Sequence, residues 1–395
     1  MIIGLLALAA LLELTIGIAV YASGGDDGQT AATALPLHPV AGNFKPDTTK
    51  VDECDEQPCF EQAFGNVAYY EGPKRALALF DARIAESGDG NCHRIAHSIG
   101  SASLARNKGN VATTFAQGSA SCFSGYYHGV LERSLVGVRG YEPERLGRVA
   151  RDLCSDADIR KVTYLAYQCL HGLGHGLMIT TGYGLPTSVS TCNRLSTDWD
   201  RTACKGGAFM ENISTSYGVR SSWVRDDDPE YPCNAVAEGD KLKCYEIVTS
   251  RILRLSDNDW EETSRTCSEI EGGQWVSACF RSLGRDASGW AKHDPATVHE
   301  YCATARPYGG EGSCIAGSAI ATSATFTDGR RAGPLCTTSP AQLRGDCFFA
   351  IGAVTALLES TPRARKAACG RVTSDPADRS RCVNGASSVR PLTVG

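Results

Sequence analysis

Several familiar signatures are missing from this chain, and each absence removes a class of function. None of its 18 cysteines stands in a Cys-x-x-Cys pair, which excludes a zinc ribbon. The absence of Cys-x-x-Cys-His excludes covalently attached haem, although a free haem held by His/Met or by two histidines stays open. His-Glu-x-x-His, Gly-x-Ser-x-Gly and the Walker pattern do not occur. GLGHG at residues 172–176 resembles a phosphate loop only superficially, because no strand precedes it. There is no basic stripe with interleaved aromatics, and the formal net charge is −5, which argues against nucleic acid as a partner. Methionine is scarce: after Met1 there are only Met178 and Met210.

Basic residues are also missing from the start, the first being Lys45. Residues 1–22 are apolar apart from Glu13 and a few small or weakly polar residues. That run is long enough to span a bilayer, and it lacks the basic leader of a signal peptide. It reads as a signal anchor, with a signal peptide as the alternative because Val20 and Ala22 before Ser23 suit cleavage. Asp26 and Asp27 lie on its C-terminal side and place the body outside the cell membrane, anchored or, if cleaved, secreted. Residues 23–53, rich in Gly, Pro, Thr and Ala, read largely as a flexible linker.

Cysteine is what the chain has in abundance. Cys122, Cys169, Cys204, Cys244, Cys279, Cys314, Cys347 and Cys382 are each followed three residues later by glycine or, in three cases, by Ile247, Ser282 or Ala350. Most steps between them are 33–35 residues, the period of a two-helix unit. Seven have a cysteine shortly upstream, which predicts the bridges Cys154–Cys169, Cys192–Cys204, Cys233–Cys244, Cys267–Cys279, Cys302–Cys314, Cys336–Cys347 and Cys369–Cys382. The remaining four allow three connectivities, of which Cys54–Cys59 with Cys92–Cys122 is expected. Cys92, beside His93, is the one that could serve a site instead. Such cysteine usage implies an oxidising compartment.

Residues 294–326 display the unit: DPATVHEYC forms one helix with Pro295 near its start, RPYGGEG the turn, and SCIAGSAIATSATF the second helix. In period and hairpin form, Cys122 to Cys382 resembles the Sel1-like and tetratricopeptide arrays, without their consensus residues. The resemblance implies an all-α solenoid, stapled here by disulfides. The expected organisation is a His-bearing helical region over 54–222 and stapled hairpin repeats over 223–392.

Five of the eight histidines fall in three short segments: NCHRIAHSIG with His93 and His97, CFSGYYHGVLE with His128 and Glu132, and CLHGLGHGLM with His171 and His175. Residues four apart share a helix face, so two segments offer paired imidazoles and the third an imidazole with a carboxylate. His128 and His175 each lie six residues after the motif cysteine; Met210, followed by Glu211, holds that slot after Cys204. Imidazole and thioether suit copper, and carboxylates favour iron or zinc. The expected ligands are therefore His93, His97, His128, His171, His175 and Met210. Glu132 and Glu211 complete the shell or transfer protons. Two functions follow from different classes: an exported redox or hydrolytic metalloprotein, or a non-catalytic scaffold that holds a protein or peptide and uses its histidines structurally. Asn212-Ile213-Ser214 is a formal glycosylation sequon on a predicted helix, and the acidic run from Asp226 to Glu230 reads as a solvated turn. His293 and His299 read as surface residues.

Overall fold

A computed structural model of the chain describes residues 42–87, 92–136, 138, 142–215 and 220–388. The apolar segment at residues 1–22 and most of the linker lie outside the described residues. Every regular element among the described residues is a helix.

The core is built by long helices that pack side by side in chain order. We label them α1 (Gln57–Tyr70), α2 (Cys92–Arg106), α3 (Ser121–Leu135), α4 (Thr163–Thr180), α5 (Asp198–Ile213), α6 (Gly273–Trp290), α7 (Glu311–Thr325), α8 (Ala341–Leu358) and α9 (Pro376–Ser388). Each packs on the next from α1 to α5 and again from α6 to α9, and the short helices Glu238–Tyr245 and Thr249–Leu255 join the two runs. α7 also touches α3, and α8 touches α4, so the second run folds back onto the first.

Shorter helices flank this core and start where the sequence supplies caps. Pro295–Ala303 begins with Asp294, whose side chain accepts from the Thr297 N–H, followed by proline at the first helical position. α5 begins in the same way at Thr197, which accepts from the Asp200 N–H.

All nine expected disulfides are present, with Cα–Cα distances of 5.3–5.8 Å, and no cysteine is free. Cys92 pairs with Cys122 and is therefore not a ligand. From Cys154 onward no half-cystine is more than 1 % exposed, so the bridges occupy the core between short and long helices. They provide buried volume that the small residues of these helices do not. Each local loop also removes chain entropy from the unfolded state, on the order of 2–3 kcal/mol per bridge. Nine such bonds fit an oxidising, extracytoplasmic compartment.

Glycine sets how closely the long helices approach. A Cβ on Gly100 would lie 1.9 Å from the Tyr126 carbonyl oxygen, and one on Gly129 would lie 1.9 Å from that of His97. Each glycine thus sits on the carbonyl three residues before its partner glycine. The same reciprocal crossing joins α4 to α5 (Gly174 and Gly207), α6 to α7 (Gly284 and Gly317) and α8 to α9 (Gly352 and Gly385). Any side chain at these positions would force the two backbones apart.

The end of the predicted linker behaves otherwise than its composition suggests. Residues 42–53 are docked on the body: Phe44 is 2 % exposed, Arg133 donates to the carbonyls of Gly42 and Phe44, and Asn66 holds Asp47 and Thr49. One aromatic anchor and a row of satisfied carbonyls outweigh a flexible composition. The acidic run starts in an exposed bend, where Asp226 pairs with Arg251 at 2.6 Å and with Arg220 at 2.8 Å.

Candidate metal centre

Three neighbouring helices, α2, α3 and α4, bring the five clustered histidines together. The Cys92–Cys122 bridge ties the start of α2 to the start of α3. His93, one residue along α2, donates from Nδ1 to the Cys122 carbonyl oxygen at 2.8 Å; Cys122 itself is left-handed, with φ of 51°. His97 lies one turn on, and its Nδ1 meets Glu132 Oε1 at 2.5 Å. Glu132 is one turn beyond His128 on α3. On α4, His175 Nδ1 meets Glu211 Oε2 at 2.8 Å, the carboxylate reaching across from α5. The other oxygen of Glu211 accepts from the Tyr183 hydroxyl at 3.1 Å. Tyr183 gets there because α4 ends in two left-handed residues, Gly182 at φ 64° and Tyr183 at φ 63°, which turn the chain back.

Glycines clear the space for the rings. The Cβ positions of Gly125, Gly172 and Gly206 face His93, His128 and His171 respectively at 3.1–3.5 Å. His97, His128 and His175 are each 1 % exposed and His171 is 7 % exposed, while His93 lies at the partly buried edge.

The hydrogen bonds constrain the ring tautomers. A ring that donates from Nδ1 to a carboxylate or carbonyl is, when neutral, unprotonated at Nε2. His93 is of this kind, and its Nε2 meets the Nε2 of His97 at 3.0 Å, close enough to share one proton or to engage one ion. The Nε2 atoms of His171 and His175 face each other at 3.3 Å. His128, between the two pairs, has no hydrogen-bond partner for either ring nitrogen among the described residues. The ligand atoms of His93, His97 and His128 all lie within 4.8 Å of one another, and so do those of His128, His171 and His175.

Burial disfavours the charged form of these rings. Burial, with repulsion from the neighbouring His97, pushes His93 down to about 4, and burial pushes His97 down to about 4 as well. Burial holds His128, His171 and His175 well below the ordinary imidazole value, and adjacent imidazoles add to the effect. Neutral rings with converging nitrogens suit a cation. Two nitrogens on one tetrahedral ion at 2.0–2.1 Å would be about 3.3 Å apart, close to both observed spacings. The carboxylate behind the ring is the usual outer partner of a metal-binding histidine.

The remaining candidates sort as follows. Glu132 and Glu211 stand behind the rings, on Nδ1. Met210 packs against the apolar cluster that includes Met178, Phe209 and Ile213. His293 bonds Ser288 at 2.8 Å and His299 bonds Thr338 at 3.1 Å; both are partly buried. Asn212 of the sequon is 1 % exposed and hydrogen-bonded to Trp223 and Ser221. Two residues not foreseen from sequence border the centre: Tyr183, and Tyr167, whose ring stacks on His171 with centroids 5.4 Å apart. Tyr167 lies one turn before His171, a spacing visible in the sequence; nothing local marks Tyr183. No protein-family model, curated protein or solved structure matches this chain.

Proposed function

We propose that the chain is a membrane-tethered, extracytoplasmic metalloprotein whose helical body, an α-solenoid curled back on itself, carries a multi-histidine centre for a first-row transition metal. The observation that carries this reading is the facing Nε2 pair of His93 and His97, 3.0 Å apart with both Nδ1 atoms engaged elsewhere. Two buried imidazole nitrogens at this separation share at most one proton, and a metal ion between them would engage both lone pairs. Neutral imidazole suits copper, iron and zinc alike; the first two would supply redox chemistry and zinc a hydrolytic centre. Adjacent rings of one helix face approach an ion from the same side and leave no space for a porphyrin plane between them, which speaks against haem.

Glu132 and Glu211 act here as positioning residues, fixing the ring tautomer and raising ligand basicity rather than exchanging protons with a substrate. Tyr183 in turn holds Glu211. The test is metal analysis of protein recovered through its native export route. At least one copper, iron or zinc ion per chain is expected. A carefully isolated protein that carries none, and takes up none after addition of each ion, overturns the reading and leaves the scaffold alternative.

A further inference from the structure

We infer that the centre holds two metal ions, with His128 as the ligand they share. This rests on the metal reading above and adds its nuclearity. The two triads have only His128 in common. Each otherwise consists of a complete pair four residues apart on one helix, His93 with His97 on α2 and His171 with His175 on α4. Each pair has its own carboxylate, Glu132 on His97 and Glu211 on His175. A mononuclear site has no use for that duplication. α3 lies between α2 and α4, and the one imidazole it contributes is the one with both nitrogens buried and unpartnered.

The other four rings converge through Nε2, so with the ring proton on Nδ1 they would give each ion two donors. A third donor for each ion comes from the two nitrogens of His128. Bridging requires the His128 N–H proton to leave for solvent, so that the imidazolate presents two lone pairs and one proton is released for each pair of ions bound. His128 at present stacks on His175, with centroids 4.0 Å apart and planes 18° apart, so their lone pairs lie in offset, nearly parallel planes and cannot converge on one ion. The ring must turn on loading, and no hydrogen bond to either nitrogen opposes the turn.

The experiment uses the full oxidised chain, stripped with a chelator and titrated with Cu(II) at neutral pH. Two coppers per chain are expected. At saturation the spin-resonance intensity should fall well below that of two isolated ions, because an imidazolate couples the two spins. His128→Gln keeps the volume and should abolish the coupling. The double variant His93→Ala/His97→Ala should bind a single copper with full intensity, and so should His171→Ala/His175→Ala. Unchanged helical dichroism shows that each variant has folded. One copper at saturation, or two uncoupled coppers, overturns the bridge and leaves the metal reading standing; no uptake of copper overturns the bridge, and no uptake of iron or zinc either overturns both.

Discussion

The two runs of long helices share a backbone device and differ in what they hang on it. In α2/α3, α4/α5, α6/α7 and α8/α9, two glycines each seat on a carbonyl three residues before the other. In the first run the seating carbonyls of α2 and α4 belong to His97 and His171. In the second, the corresponding residues of α6 and α8 are Arg281 and Phe349. One residue after the glycine, His175 on α4 gives way to Arg285 on α6 and Ala353 on α8. Around Arg285 the polar groups satisfy one another: Asp286 accepts from Arg285, from Thr249 at 2.7 Å and from Ser250 at 3.0 Å. Phe349 is 38 % exposed. The crossing is therefore a support indifferent to chemistry, and among the described residues the clusters of buried histidines lie in the first run.

The comparison breaks most sharply at the histidines. Replacing His97 or His175 with Ala removes a proposed ligand, and affinity for copper or zinc should fall by at least ~100-fold, more than the usual effect of an outer partner. Arg281→Ala, at the corresponding seat of the later crossing, should leave it unchanged in a calorimetric titration. Equal losses would mean that the two runs do not differ as described. Glu132→Gln and Glu211→Gln come next, with affinity reduced about 10–100-fold and the helical signal intact. A loss under threefold would remove both residues from the centre.

Gly129→Ala and Gly317→Ala probe the shared device. Each should cost about 1–3 kcal/mol in denaturant unfolding as the backbones part. Only Gly129→Ala, whose methyl would meet the His97 carbonyl, should also weaken metal binding. The pH response of the metal-free protein tests the neutral state of the rings. Rings buried neutral bind fewer protons folded than unfolded, so their stabilisation is whole above pH 6.5 and drains as pH falls toward about 4. Glu61 works in the other direction: burial raises it to about 7, and its contribution is lost as pH rises through that value. Five imidazoles outweigh one carboxyl, so the melting temperature should drop between pH 6.5 and 4. A flat or rising profile there would contradict the neutral state of the cluster.

Much of this was legible because disulfides and helix faces are local. Cysteine spacing gave the pairing, and His93/His97 and His171/His175 were visible as pairs four apart. The small residue after each motif cysteine showed half of the crossing, at Gly207, Gly317 and Gly385. The other half, Gly174, Gly284 and Gly352, stands five residues after a cysteine and has meaning only once two helices are laid together. Glu132 and Glu211 were recognised as relevant residues, but not as partners of Nδ1, since which ring atom a carboxylate meets depends on helix rotation. Phe44 was hidden in a linker-like composition, where one buried ring decides the outcome against its neighbours.

The connectivity of the bridges bears on how the protein is made. Eighteen cysteines admit roughly 3 × 10⁷ complete pairings, and this chain uses the one in which every cysteine takes the next along the sequence. During translocation each thiol therefore meets its native partner first, before any competitor has left the export channel. Oxidation in order of emergence yields the finished set without reshuffling, and the helices that carry the histidines are locked before the later cysteines appear.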